Sequence, residues 1–244
     1  MYIRQSVFYE ELTPTEFRAR IADSPVAYLP LGTLEWHGEH LPLGSDGIQS
    51  RGFFAELAKK IGGIVLPMLF LGPDRVEIRD GRDYYGMDTA IKEGEHVPLQ
   101  LDGSAYWIED ELFADLLKTT LKQLKRAGFR VVVAHGHGPS TACFSKHINE
   151  WEKEYGLKLF HCWGGEDSKY GIQTDHAGAN ETSLVMYLRP ELVHMEYLST
   201  DPNEFPIAVG GEDPRYHASS ERGNKSVTIQ TERMGKLITE ALAE

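Results

Sequence analysis

Two short apolar runs, each followed at once by polar residues and then by an amphipathic helix, constrain this chain more than any other feature. They cover residues 26–31 and 129–134, and both have the composition of buried strands. Helical apolar spacing follows over residues 47–61 and from about Ser140 onward. This alternation predicts an α/β fold: a layered, mostly parallel sheet flanked by helices.

The other predicted elements belong to the same layered domain. Nothing in the sequence has the composition of a linker, so we expect a single domain over residues 1–244. The least regular part, residues 72–106, is interpreted as a lid or a subunit-contact element, or equally as a hairpin on the surface. Further helices are predicted over residues 14–22, 106–127 and 225–243, and further strands over 64–70 and 157–163.

The first polar cluster follows the run at residues 26–31. Glu35 and His37 are two residues apart, so in an extended chain both point to the same side, whereas His40 does not. Asp46 stands at the beginning of the next helix, where it is either a metal ligand or, with Gln49, an ordinary helix cap. The acidic and imidazole groups together favour a divalent metal ion.

Two later clusters add to the first. His137 lies between two glycines after the second apolar run, and the carboxyl ends of parallel strands share one edge, so it is predicted as a ligand rather than a structural histidine. Glu181 would lie in the first turn of a helix capped by Asn180, where a carboxylate also complements the helix dipole. Asp175 and His176 are predicted as an acid/base pair, with the carboxylate orienting the imidazole.

Composition excludes several classes of partner. The formal net charge of −12 argues against nucleic acid and anionic membranes, and is compatible with divalent cations and small neutral or cationic substrates. No apolar run approaches the twenty residues of a membrane span, so a cytoplasmic protein is expected. Cys143 and Cys162 are predicted to be reduced thiols.

Four motifs together resemble the creatininase family, the creatinine amidohydrolases. They lie at residues 31–46, 136–138, 176–183 and 218–223, in the order found in that family. The resemblance implies a compact layered α/β fold, a two-metal site, and hydrolysis of a C–N bond in a small amide, often cyclic or formyl. It also implies a homo-oligomer, often a hexamer. Carboxylate and imidazole ligands suit zinc, manganese or iron.

The resemblance also implies a role for each ligand. Carried over by position, Glu35 and His137 would bind one metal and His37 the other, with Asp46 bridging the two. Glu181 is the candidate that completes the shell of the second metal.

One departure from the family pattern concerns that second metal. Creatininase takes a metal-binding glutamate from the position of Pro139, and proline cannot ligate. Either Glu181 replaces that carboxylate, or His135, which stands where the family usually has asparagine, contributes, or the second ion binds weakly. This departure favours a small amide other than creatinine.

The mechanism predicted from these residues is attack by a metal-activated hydroxide. Two ions about 3.5 Å apart would lower the pKa of a shared water toward 7. That hydroxide would attack the amide carbon, one metal would polarise the carbonyl oxygen, and His176, oriented by Asp175, would protonate the leaving nitrogen.

Two alternatives stay open at this point. A non-catalytic metal or small-molecule binding protein would need only one ion, held by Glu35, Asp46 and His137. Among hydrolases, a formamidopyrimidine deformylase or a peptide-cleaving relative would use the same ligands.

Overall fold

The computed structural model describes residues 6–92, 94–95, 97–164 and 168–244. Within them the chain forms the predicted alternation of strands and helices. The strands are β1 (Val26–Leu31), β2 (Ile64–Val65), β3 (Val76–Arg79), β4 (Arg82–Tyr85), β5 (Val131–Gly136) and β6 (Lys158–Phe160). The helices are α1 (Pro14–Asp23), α2 (Ser45–Ile61), α3 (Asp110–Arg126), α4 (Gly138–Tyr155), α5 (Ala179–Leu188), α6 (Pro214–His217) and α7 (Ser220–Ala243).

The main sheet confirms the predicted fold class. In the described part of the chain it has four parallel strands in the order β2-β1-β5-β6, with Val26 paired to Val131 and Leu31 to Gly136. Every residue of β1 and β5 is buried because helices cover both faces of the sheet, which explains why both strands are almost continuously apolar. The adjacent strands β1 and β5 therefore end at the same edge.

The apolar core lies in two layers, one on each face of the sheet. On one face, Phe53 and Phe54 of α2 pack with Met234 of α7. On the other, Phe113 of α3 packs with Trp151 of α4. No helix in the described part of the chain combines the length and the apolar character needed to cross a bilayer.

Several elements have other bounds than predicted, and β6, for example, ends at Phe160 rather than at residue 163. The second strand stops at Val65, although the chain still runs beside β1, where the Gly32 amide donates to Leu69 O at 2.8 Å. The break lies just before Pro67, which has no N–H to donate to a regular ladder. Helix α3 begins at Asp110 rather than at residue 106, and α7 begins at Ser220 rather than at about 225.

The irregular segment 72–106 contains the surface hairpin that was one of its two interpretations. Strands β3 and β4 pair antiparallel, and Val76 and Ile78 are exposed. A 3-10 turn at Gly86–Ala90 then brings the chain back to the carboxyl edge of the main sheet. Residues 93 and 96 of this segment lie outside the described residues.

The beginnings of two helices correct the predicted caps. The N-cap of α2 is Gly44, so Asp46 lies inside the first turn, and Gln49 donates to Ser45 Oγ instead of pairing with Asp46. The N-cap of α5 is Gly178, and Asn180 lies within the helix. The capping interpretation is wrong in both places, and the Asp46 carboxylate is left for other contacts.

Candidate metal centre

A cavity of about 270 Å³ lies at the carboxyl ends of β1 and β5. The residues that line it include Glu35, Asp46, His137, His176 and Glu181, which come from all three clusters named in the sequence. The edge of a parallel sheet is where open α/β folds place their ligands.

Local backbone geometry brings the first and second clusters to this cavity. The Glu35 amide donates to Leu43 O at 3.0 Å, which closes the loop after β1 and returns the chain to the start of α2. At the end of β5, Gly136 approaches β1 so closely that a Cβ would overlap the carbonyl oxygen of Leu31. Only glycine fits there, and His137 follows it directly into the site.

One set of possible ligands consists of Glu35, Asp46 and His137. His137 Nδ1 lies 2.9 Å from Glu35 Oε1 and 3.2 Å from Asp46 Oδ2. All three side chains are buried, and one ligand atom from each lies within 4.8 Å of the others.

A second set consists of His37, Asp46 and Glu181. His37 Nε2 lies 3.5 Å from Asp46 Oδ1 and 3.5 Å from Glu181 Oε2. His37 Nδ1 lies 3.1 Å from the carbonyl oxygen of Glu35, which can only accept, so Nδ1 carries the hydrogen. Nε2 is buried and has no hydrogen-bond partner among the described residues. A cation between the two carboxylates would give this nitrogen a partner, so the residues fit a metal ion.

The pKa values of the two histidines follow from this crowding of acids. Burial by itself lowers the pKa of His37, but the charges of Asp46, Glu181 and Glu35 outweigh it and raise the pKa to about 10. Burial also opposes the charged form of His137, yet Glu35 and Asp46 hold its pKa well above the ordinary value. The surrounding carboxylates thus favour the positively charged form of both rings.

The two carboxyl groups in the second set are shifted in opposite directions. Burial raises the pKa of Asp46, but His37 and His137 outweigh it and hold that pKa well below the usual range. Burial, together with the charges of Asp46 and Asp175, raises the pKa of Glu181 well above its ordinary value despite the attraction of His37. Asp46 is thus the acid that stays ionised between the two imidazoles.

His176 lies beside both sets of ligands. Its ring stacks on that of His37 at 4.3 Å between centroids, and its Nδ1 lies 3.9 Å from Glu35 Oε1. Its Nε2 lies 2.8 Å from the carbonyl oxygen of Trp36, which fixes the hydrogen on Nε2. Burial and the charge of His37 lower the pKa of His176, which favours the neutral ring, and with the hydrogen on Nε2 its Nδ1 is the nitrogen that can accept.

Asp175 has a different place from the one predicted. Its two oxygens accept the backbone N–H groups of Asn180 at 2.7 Å and Glu181 at 3.0 Å. The carboxylate thus satisfies the first turn of α5, and the group that orients the His176 ring is the Trp36 carbonyl. The predicted Asp175–His176 pairing does not match these contacts.

The structure also places His40 and the two positions that depart from the family pattern, His135 and Pro139. His135 Nε2 lies 3.1 Å from Ile172 O, and its Nδ1 accepts the Cys162 amide, so this ring does not face the ligands. His40, predicted to face away, contacts Thr182 Oγ1 at 2.8 Å. Pro139 lies in the first turn of α4 on the cavity wall. Among these alternatives, Glu181 is the group that faces His37.

Sequence reasoning missed Asp74. Its Oδ2 lies 3.2 Å from His137 Nε2, which also lies 3.2 Å from Pro73 O, so the second nitrogen of His137 is held from outside the ligand set. A Cβ on Gly86 would lie 2.5 Å from this carboxylate, and the φ of Gly86 is +51°. The only signal in the sequence is the Gly-Pro-Asp turn at residues 72–74, which names no partner.

Sequence reasoning also missed Gln173. Its Nε2 donates to Asp46 Oδ1 at 3.0 Å, and no spacing pattern marks it.

A buried cluster of carboxylates and imidazoles at the carboxyl edge of an α/β sheet is an arrangement that suits divalent metal ions and that metal-dependent hydrolases use. Residues 10–244 match the family model Creatininase, described as creatinine amidohydrolase. The chain belongs to the creatininase family, as its motifs indicated. It is a hydrolase of this family, and metal-dependent amide hydrolysis is the class of activity that the matched proteins support.

Individual relatives are distant in sequence. A creatinine amidohydrolase of Pseudomonas putida is 26% identical over 221 residues, which cover 81% of this chain and 78% of that protein. A mycofactocin precursor peptide peptidase of Mycobacterium tuberculosis is 25% identical over 224 residues, covering 91% of this chain and 78% of the relative.

Solved structures share the fold. A structure designated Creatininase Mn has a TM-score of 0.72 at 23% identity, covering 96% of this chain and 98% of that one. A mutant creatininase of Zn-Zn type has a TM-score of 0.71 at 24% identity, with the same coverage.

Proposed function

We propose that this chain is a two-metal amidohydrolase. Glu35, Asp46 and His137 would hold one divalent ion, and His37, Asp46 and Glu181 the other. The observation that carries the proposal is the position of Asp46, whose Oδ2 lies 3.2 Å from His137 and whose Oδ1 lies 3.5 Å from His37. One carboxylate thus faces two separate sets of ligands. Zinc, manganese and iron suit these ligands.

The residues around the ions would position the substrate and transfer a proton from the attacking water to the leaving nitrogen. When bound, the ions lower the pKa of a water toward 7 and polarise the amide carbonyl. His176 Nδ1, free because Nε2–H donates to Trp36 O, accepts a proton from the attacking water. As the water oxygen bonds to the carbonyl carbon and the C–N bond breaks, the same Nδ1 delivers the proton to the leaving nitrogen.

The size of the cavity supports a small substrate. At about 270 Å³ it is slightly smaller than the pockets that enclose drug-sized ligands. A small amide, cyclic amide or formamide is therefore the proposed substrate class. Pro139 offers no carboxylate on the wall, which favours an amide other than creatinine.

We also propose a cytoplasmic homo-oligomer. The exposed apolar side chains Val76 and Ile78 of the hairpin support self-association. Light scattering of the purified chain measures the assembly state.

The experiment that tests the function combines metal analysis with a substrate screen. The chain, stripped with chelator and reloaded with manganese, zinc or iron, is assayed on lactams, formamides and short peptides. We expect two ions per chain and turnover of at least one small amide. Asp46→Ala should remove both ions and all turnover, because one carboxylate serves both sets.

An acid outside the site provides the control. Asp115 on the surface of α3 pairs with Lys118, so Asp115→Ala should keep both ions. One tightly held ion per chain with no turnover on any of these substrates would refute the proposal in favour of a binding protein. Full metal content and activity in Asp46→Ala would refute the bridging role.

A further inference from the structure

We propose that Gln173, itself held by Ser50, is the positioning residue that fixes the Asp46 carboxylate so that its two oxygens face two different ions. The inference rests on the proposed two-metal function. Gln173 would then determine whether the second ion binds together with the first.

The hydrogen bonds of Gln173 allow only one orientation of its amide. Asp46 Oδ1 and the Asp46 carbonyl oxygen can only accept, so the amide atom that lies 3.0 Å and 3.2 Å from them is the donor, Gln173 Nε2. The other amide atom is therefore the oxygen Oε1, and Ser50 Oγ donates to it at 2.7 Å. Both hydrogens of the amide nitrogen are used, so Gln173 acts through Asp46 and has no donor left for a substrate.

The three residues are arranged as a clamp across two elements. Asp46 and Ser50 lie one turn apart on the same face of α2, and both are buried. Gln173 comes from the loop before α5, and its φ of +53° places it in the left-handed region. A non-glycine residue is strained in that region and persists there where surrounding contacts hold it.

Asn180 makes some of the contacts that hold Gln173 in this conformation. Its Oδ1 accepts the Thr174 amide at 3.1 Å, and its Nδ2 donates to Gly171 O at 3.1 Å. The loop is thus tied on both sides of Gln173, and the strained residue is kept pointing at Asp46.

The orientation of the Asp46 carboxylate matters because a bridge needs both oxygens in place. A free carboxylate rotates about its Cβ–Cγ bond, whereas the bond from Gln173 keeps Oδ1 on the side of His37 and leaves Oδ2 on the side of His137. Outer contacts of this kind typically change metal affinity by about 10–100-fold. Gln173 is also neutral, so it donates to Asp46 without adding another negative charge to the site.

The test uses Gln173→Met, which keeps a side chain of similar length and removes the donor. The chelator-treated full-length chain is titrated with Mn²⁺ by calorimetry, and electron paramagnetic resonance reports whether neighbouring ions are spin-coupled. We expect two coupled ions in the wild type. In Gln173→Met the affinity for at least one ion should fall about 10–100-fold, with loss of the coupled signal at the same Mn²⁺ concentration.

A second glutamine on α2 provides a matched control. Gln49 is equally buried and donates to Ser45 Oγ at 2.9 Å, so Gln49→Met should bind Mn²⁺ like the wild type. Ser50→Ala keeps Gln173 but frees its Oε1, and should cause a smaller loss in the same direction. If Gln173→Met does not fold, Ser50→Ala decides the matter.

The outcomes separate this inference from the function on which it rests. A wild-type chain that binds fewer than two ions overturns the two-metal function. A wild-type chain with two coupled ions, together with unchanged affinities and signal in Gln173→Met, overturns only the role of Gln173. If Gln173→Met cannot be measured, unchanged Mn²⁺ binding in Ser50→Ala also overturns only the role of Gln173.

Discussion

Metal binding at this site should release protons, and the affinity for metal should therefore increase with pH. In the metal-free chain the carboxylates around His37 raise its pKa from 6.5 to about 10, so its ring is protonated at pH 7. A metal ion needs the neutral ring. The proton must leave when the ion binds, and protons compete less as the pH approaches 10.

The size of the effect follows from that pKa. Removing a proton at pH 7 from a group with a pKa of about 10 costs about 4 kcal/mol, since each unit is worth about 1.4 kcal/mol. The apparent affinity should increase about tenfold per pH unit between pH 6 and 9 for this proton alone. The pKa of His137 is also raised well above its ordinary value, so a steeper dependence is expected for two ions.

Calorimetry counts these protons directly. Mn²⁺ is titrated into the metal-free chain at one pH in buffers of different ionisation enthalpy. The slope of the observed binding enthalpy against the ionisation enthalpy of the buffer gives the number of protons released. We expect the wild type to release at least one proton, and His37→Gln to release fewer. His147→Gln, on the surface of α4 beside Glu150, should match the wild type. Binding without proton release, and with the same affinity at pH 6 and pH 8, would refute this account of the site's charge.

Two further predictions concern the residues around the ligands. Gly86→Ala should lose more stability and metal affinity than Gly81→Ala, because both glycines have positive φ but only a Cβ at 86 would meet Asp74. Urea unfolding and Mn²⁺ titration compare them, and equal losses would contradict the contact. Asp175→Ala should lower the free energy of unfolding by about 1–3 kcal/mol by leaving two amides of α5 unpaired, as urea unfolding would measure. An unchanged free energy of unfolding would contradict this role of Asp175 in the first turn of α5.

The convergence of the ligand candidates could be predicted from the sequence because it follows from the sheet. Glu35 and His37 come directly after β1 and His137 after β5, and adjacent parallel strands end at one edge. Asp46 is brought back by the short loop into α2. Apolar runs and glycine-flanked turns identify each strand end from local sequence alone. Positions about a hundred residues apart could therefore be predicted to lie close together.

Asp74 and Gln173 could not be predicted because tertiary contacts alone place them. Asp74 lies in a segment without regular spacing, and the return of the hairpin to the sheet at Gly86 brings it against His137. Gln173 is positioned by a loop that Asn180 holds from within the next helix. Neither segment has a periodicity from which a direction of the side chain could be inferred.

The roles of Asp175 and Asn180 differ from the prediction for a more specific reason. Asn180 was predicted to cap α5 and Asp175 to orient His176, yet Asp175 accepts the backbone amides of the first turn and Asn180 fastens the preceding loop. Asn and Asp side chains form hydrogen bonds with backbone groups that precede them or follow them in the sequence. The difference is set by where the helix begins, and sequence patterns locate helix ends least accurately.

The charge of the site explains why these residues suit a pair of divalent ions. Glu35, Asp46 and Glu181 are all buried, a costly arrangement for carboxylates unless positive charge accompanies them. Asp46 and Glu181 lie in the first turns of α2 and α5, where helix dipoles favour negative charge, but dipoles do not neutralise three acids. Two divalent ions would supply the positive charge that these buried acids, together with Asp74 beside His137, need. Bound in a buried site, the ions would also stabilise the oxyanion that develops when an amide carbonyl is attacked, which is why such a site suits amide hydrolysis.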